Sequence, residues 1–313
     1  MQINLLQNLS IDEYHNADGY VFSSSRISDF LNNSPLYYYK KYITGAIPRS
    51  LESRGFRIGQ AVDTYITGGK DEFDKLYASA NEEPKKPTQA QISAKKPTDK
   101  TIKLIKNWKA WEAVNKGKTV LSNQDYTDVI LSCTSLVKHP FYSFFKRDWE
   151  TQNTYRADLD GKIRIQCRPD IEIHINKPDQ CDFFDTEVNT GDMILVDLKT
   201  TNRLKDWVSD SYNNPFYKFG YHRQCGFYQQ IINAHHGKKV HPFLWVVETQ
   251  EPYETALITI PEHLAIIGWH QTHDAIKEIK DCIKNNHWSG VYEEGKGSIN
   301  LNDFVINKMR GVA

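Results

Sequence analysis

The sequence predicts an α/β fold, and three stretches predict it. Residues 151–158 and 162–175 are rich in strand formers and flank Asp160-Gly161, a strong short-range signal for a hairpin. Residues 193–200 and 242–248 read as apolar strands on either side of a helical pattern at 216–233. Residues 261–285 close the pattern as a long helix.

The remaining elements follow in chain order. Residues 23–45 open on a serine cluster in which Ser25 or Ser28 can cap a helix, and Ile27, Phe30, Leu31 and Tyr38 recur at helical spacing. Pro35 interrupts them, which predicts two short helices. Residues 53–66 predict another helix, with Phe56, Gly59 and Asp63 about one turn apart. Pro84, Pro87 and Pro97, among lysines, predict a loop or linker over 81–100. In the strand at 162–175, Ile163, Ile165, Cys167, Ile171, Ile173 and Ile175 point one way. Arg164, Gln166, Arg168, Asp170, Glu172 and His174 point the other. Residues 254–260 are a further strand candidate. No internal repeat or low-complexity tract is present. The expected organisation is a single domain over 1–313, with a helical part and lysine-rich linker at 20–118 and a core at 119–300.

Composition narrows the function. A 313-residue chain with 39% hydrophobic and 25% charged residues is not a disordered one. Basic and acidic residues balance at 39 each, which excludes a uniformly basic nucleic-acid binder but not a local basic groove. Residues 84–118 carry ten lysines against Asp99 and Glu112, a net charge of +8, so the rest of the chain is at −8. That segment reads equally as a solvated helix face or as an arm that tracks phosphates, with Trp108 and Trp111 for stacking. The start is polar, and the longest apolar run, 243–247, is too short to span a bilayer, so no membrane association is expected. Five scattered cysteines form no CxxC pair, which fits a reducing cytoplasm and no zinc or iron–sulfur site.

The chemistry concentrates at Ile194-Leu195-Val196-Asp197-Leu198-Lys199. An apolar strand ends in an acid and a base two residues apart, on one face. Taken alone, this is no more than a strand end with an ion pair. Arg168-Pro169-Asp170 changes the balance, because Asp170 and Asp197 can converge if their strands are neighbours. Two carboxylates in one pocket repel and need a cation, and a divalent ion with oxygen ligands supplies it. Downstream, Gln224 and Tyr228 stand four apart on a helix face and could steer a phosphate or a strand.

Pro169-Asp170 followed by Asp197-Leu198-Lys199 resembles the PD-(D/E)xK nuclease motif, and the Q-x-x-x-Y of Gln224 and Tyr228 resembles the RecB-like branch. The chain looks most like the RecE (exonuclease VIII) type of phage and prophage exonuclease. The residues that carry this are Ser23-Ser24-Ser25-Arg26-Ile27-Ser28 with Ser34-Pro35, and Phe56-Arg57-Ile58-Gly59-Gln60-Ala61-Val62-Asp63. Thr119-Val120-Leu121-Ser122, His139-Pro140, the stretch 217–228 and Trp288-Ser289-Gly290-Val291-Tyr292 add to them. The resemblance spans roughly residues 20–300. It implies a restriction-endonuclease-like core, a mixed central sheet flanked by helices.

It also implies a function: metal-dependent exonucleolytic hydrolysis of linear double-stranded DNA, 5′ to 3′, in phage-type recombination. Asp170 and Asp197 would hold Mg2+ (or Mn2+), with the Leu198 carbonyl as a further ligand and Lys199 beside the attacking water. Gln224 and Tyr228 would position the strand. The family has histidine where this chain has Asp63, so Asp63 is expected as a third acidic ligand. Glu150 resembles the acid that the family carries before its hairpin. A RecT-type annealing protein and a homo-oligomeric ring around DNA are the implied partners. Competing readings are a single-strand or structure-specific nuclease of the same branch, or a non-catalytic DNA-binding protein of this fold.

Overall fold

The computed structural model describes residues 3–6, 9–10, 13–14, 20–48, 53–80, 84–158, 163–184, 187–208 and 214–292. Its strands are β1 (Ile3–Leu6), β2 (Tyr20–Phe22), β3 (Tyr77–Ser79), β4 (Thr119–Leu121), β5 (Trp149–Thr151), β6 (Thr154–Asp158), β7 (Ile163–Cys167), β8 (Ile171–His174), β9 (Met193–Thr201), β10 (Val240–Glu248) and β11 (Thr255–Thr259). The longer helices are α1 (Ser24–Asn32), α2 (Arg54–Asp63), α3 (Asp99–Val114), α4 (Asn123–Lys138), α5 (Tyr221–His236) and α6 (Glu262–Asn285).

A five-stranded sheet in the order β11-β10-β9-β8-β5 forms the centre. It is mixed: β9 and β10 run parallel, and the other neighbours run antiparallel. Both its faces are buried, which is why β9 reads as a continuous apolar run and not an alternating one. Ile194 and Val196 enter a core with Ile171, Ile173, Phe243, Trp245 and residues of α4. Met193 and Leu195 enter a second core with Tyr155, Phe227 and Ile231 of α5 and Ile279 of α6. Helices α5 and α6 lie almost backbone to backbone. A Cβ on Gly226 would run into the Ala265 carbonyl, and one on Gly268 into the His222 carbonyl. This close crossing fixes the helix that carries Gln224 and Tyr228.

The expected single strand over 162–175 is two strands in two sheets. β7 pairs with β6 and β2 in a four-stranded sheet, while β8 lies between β5 and β9 in the central one. The break falls at Arg168-Pro169-Asp170. Proline has no N–H to give a ladder. The Arg168 guanidinium leaves the strand to donate to Thr154 Oγ1 and to the Leu9 carbonyl, each at 2.7 Å. Period two survives across the break, but Ile163 and Ile165 now face one core and Ile171 and Ile173 the other. The expected turn at Asp160-Gly161 lies outside the described residues, and the flanking β6 and β7 pair antiparallel as a hairpin requires.

Other boundaries differ locally. The helix predicted over 53–66 ends at Asp63 and continues as a wider π turn, Thr64–Gly68. The one predicted over 216–233 is divided by Gly220, whose φ of 68° breaks Pro215–Lys218 from α5. The predicted linker at 81–100 holds a short helix, Gln89–Ile92, and the start of α3, and no residue of α3 is buried. Trp108 and Trp111 stack on each other at 4.9 Å. Among the described residues no helix is long and apolar enough to cross a membrane.

Candidate active site

The site forms where β8 and β9 part. Their ladder runs only as far as Ile171 opposite Val196. Beyond it, the Asp170 carboxylate takes the place of the missing strand and accepts from the Leu198 N–H at 2.7 Å. A strand residue points its N–H and C=O to the same edge, so the Leu198 carbonyl faces this gap too.

Asp197 and Lys199 share a face of β9, as period two requires. Asp197 uses both oxygens: Oδ1 accepts from Gln224 Nε2 at 2.7 Å, and Oδ2 accepts from the Lys199 ammonium. The two side chains are only 12% and 15% exposed. The ammonium also lies 4.7 Å over the ring of Tyr221, which stacks on Trp207 at 5.6 Å. Gln224 joins Asp197 to the half-buried Tyr228. The Q-x-x-x-Y pair is thus tied to Asp197 through Gln224.

Asp63 arrives from the other side. Helix α2 lies on β9 so closely that a Cβ on Gly59 would touch Thr200 Oγ1 at 3.4 Å. The last residue of the helix, Asp63, then reaches the gap. Gln152 holds it there, with its amide 3.2 Å from both carboxylate oxygens. Gln152 adopts φ = 57°, a left-handed conformation that non-glycine residues seldom take and that costs about 1–3 kcal/mol. Its backbone N–H donates to the Asp170 carbonyl at 3.3 Å.

The electrostatics show a deficit of positive charge. Burial, then the Asp170 carboxylate, pushes Asp63 well above the ordinary carboxylate range, while Lys199 pulls it back. Burial raises Asp170 as well, against the Lys199 ammonium and the Leu198 N–H. Burial lowers Lys199, and the two acids oppose that. Three carboxylates thus share one ammonium in a water-poor cleft. An all-oxygen donor set short of positive charge fits a hard divalent cation. Asp170 lies close enough to Asp63 to raise its proton affinity, and the Leu198 backbone is tied to Asp170 through its N–H. Among the described residues no three acid, histidine or cysteine side chains stand close enough to hold a metal ion as they are.

Glu150 is not brought to this cluster. It is exposed, pairs across the sheet with Glu172, and accepts from Asn153 Nδ2 at 2.8 Å. The turn at Gln152 separates it from Asp63. Its neighbours form a second polar group that the sequence did not reveal. The Tyr155 hydroxyl donates to Glu172 and lies 2.9 Å from His236 Nε2. Burial pushes Glu172 up to about 8. Burial, then His235, His174 and Lys238, lowers His236 to about 4. A histidine depressed in the folded state takes up its proton more readily when unfolded, so stability is full above about 6.5 and falls as pH drops towards 4. Melting curves should show a smaller fall between pH 7 and pH 5 for His236→Gln than for the wild type. Parallel curves would mean His236 is not part of the acid response.

Gln152 and Tyr221 also escaped the sequence. Nothing marks a glutamine for φ > 0, and Tyr221 precedes the motif on the same helix with no spacing signal of its own.

Residues 184–296 match a family model described as a PDDEXK-like domain of unknown function. That span includes Asp197, Lys199, Gln224 and Tyr228, whereas Asp63 and Asp170 precede it. The chain is similar to the crystal structure of a protein described as "Putative exonuclease" from Eubacterium rectale, with a TM-score of 0.58 and 16% identity over 97% of this chain and 98% of that one. At this identity the likeness is one of fold. A second structure, of SSO0001, shares 14% identity over 71% of this chain and 84% of its own, with a TM-score of 0.26, too little to bear on the site. No curated protein matches the chain. The fold is thus a mixed sheet flanked by helices, and its 184–296 part carries the match to a PDDEXK-like domain.

Proposed function

We propose that the protein is a divalent-metal-dependent deoxyribonuclease that hydrolyses linear double-stranded DNA from its ends. The observation that carries this reading is the meeting of Asp63, Asp170, Asp197 and Lys199 where β8 and β9 part, with Gln152 and Gln224 holding the outer carboxylates. The 5′-to-3′ polarity, a RecT-type annealing partner and a homo-oligomeric ring rest on the family resemblance of residues 20–300. The ten lysines of 84–118, four of them on α3, where no residue is buried, are proposed to follow the DNA backbone.

The chain's own residues would act as follows. Asp63, Asp170, Asp197 and the Leu198 carbonyl would hold magnesium or manganese, which would supply polarisation of the scissile phosphate and a lowered pKa for bound water. Lys199 donates to the attacking water and offsets the charge that builds on the phosphoryl oxygens. The attacking water gives one proton to solvent as its oxygen adds to phosphorus, the P–O bond to the leaving sugar breaks, and the leaving oxygen takes a proton from solvent. Gln224 keeps Asp197 in place, and Gln152 does the same for Asp63.

The test is digestion of linear duplex labelled at its 5′ or 3′ ends, with magnesium and with EDTA. Early release of the 5′ label, abolished by EDTA, is expected. Early release of the 3′ label would reverse the polarity. Faster digestion of single strands would favour the single-strand reading, and binding without cleavage the non-catalytic one.

Asp63 separates activity from stability. Asp63→Asn keeps the oxygen that Gln152 holds but removes a charge that Asp170 repels. In EDTA its melting temperature should rise above the wild type's. The magnesium concentration for half-maximal cleavage should rise by roughly tenfold or more, the effect of losing a charged ligand of about 1.5–3 kcal/mol. Asp63→His should keep activity and shift the preference towards manganese. Metal curves for Asp63→Asn that overlay the wild type's would remove Asp63 from the ligand set.

A further inference from the structure

Beside the carboxylate cluster lies a cavity of about 390 Å³ that the proposed chemistry does not use. Its wall begins at Thr200, the residue after Lys199, and includes Tyr221, the ring beneath the Lys199 ammonium. Tyr221 thus borders both the cavity and the site. The cavity's volume lies within the ~300–1,000 Å³ range of small-ligand pockets.

The lining sorts by chemistry. Tyr221 already carries the Lys199 ammonium over its ring and stacks on Trp207. Phe219 is different: it is 54% exposed, meets Tyr221 obliquely at 5.8 Å, and the ammonium over its ring, at 5.6 Å, comes from Lys218, the residue beside it. Lys218 and Arg54 bring positive charge to the rim. Arg54 binds Asp125 and Asp128 at 2.6 and 3.0 Å, yet half of its side chain is exposed. Among the described residues the one acid of the lining is Asp206, 3.9 Å from Arg203. An aromatic platform with cations at its rim, next to a phosphodiester-cleaving centre, suits a nucleotide.

We propose that this cavity receives the nucleotide adjoining the scissile phosphate, with its base stacked on Phe219 and its phosphate facing Lys218 and Arg54. The inference rests on the nuclease reading and extends it to a subsite. Stacking on an aromatic ring tolerates any base, which suits an enzyme that digests DNA irrespective of sequence.

The experiment uses the full chain and a linear duplex with 2-aminopurine at each of the last two positions in turn. In EDTA, binding should quench the fluorescence at one of these positions with the wild type. Phe219→Ala should abolish the quench and, with magnesium restored, raise KM about tenfold, the usual scale of a lost base stack. Phe219→Trp should restore both. Because Phe219 is exposed, folding is not at stake. A wild-type protein that cuts DNA and a Phe219→Ala variant with the same quench and KM would overturn the subsite alone. A wild-type protein that neither binds nor cuts the duplex would overturn the nuclease reading and the subsite with it.

Discussion

Asp197→Ala is expected to lose cleavage by about a thousandfold or more, the scale of removing a key electrostatic group from an active site, while remaining folded. Asp197 stands at the end of the buried part of β9 and contributes no apolar packing. Its loss frees Gln224 and removes one partner of Lys199, but the ammonium keeps Asp170 and Asp63 as counter-charges. A buried cation left wholly unpaired would cost several kcal/mol, whereas here two acids remain. Asp170→Ala is a less clean probe, because it orphans the Leu198 N–H at a cost of about 1–3 kcal/mol. Asp170→Asn retains an oxygen for that N–H and should lose activity with little loss of stability. Circular dichroism melts beside the labelled-duplex assay distinguish the outcomes. Near-wild-type cleavage by Asp197→Ala would remove the metal site from this place in the fold. Unfolding at ambient temperature would make Asp197 structural.

Much of this arrangement was legible because it obeys a period. The apolar run before Asp197, buried on both faces, could only be a central strand, and its two-residue step put Asp197 and Lys199 together. The α5 spacing of Gln224 and Tyr228 likewise placed them on one face. The strand over 162–175 misled because period two continues through a break: the alternation of isoleucines is the same in one strand or in two. Only the proline and the arginine hinted at the change of sheet, and the two bonds that draw Arg168 away join residues distant in sequence.

The site's supporting residues were hidden for a related reason. Gln152 acts through a backbone conformation that glycine, asparagine or aspartate would have advertised and glutamine does not. Glu150, two residues earlier, has the expected charge but lies on the far side of that turn, with Asn153 and Glu172. Residue type alone favoured Glu150, and the local fold favours its neighbour. Asp63 was flagged by a departure from a family pattern, and what places it is the close seat of α2 on Thr200, which no local pattern encodes.

Lys199→Ala should lower kcat by about a hundredfold to a thousandfold and leave DNA affinity within roughly twofold. The ammonium is nearly enclosed, bound to Asp197, set over Tyr221 and balanced by Asp170 and Asp63. Surrounded by acids, it projects little positive field beyond the cleft, so it cannot attract a distant phosphate as the exposed lysines of α3 can. Its charge becomes useful when negative charge builds on the phosphate, and an interaction made chiefly in the transition state appears in kcat. Lys199→Gln tests charge against hydrogen bonding: a neutral amide can still donate to Asp197 but cannot offset the developing charge, so no rescue is expected. Single-turnover cleavage rates and equilibrium binding in EDTA, measured on the same duplex, separate the two quantities. A variant that binds DNA a hundredfold more weakly yet turns over at the wild-type rate once saturated would make Lys199 a phosphate anchor, and the water-orienting role would have to pass to another group.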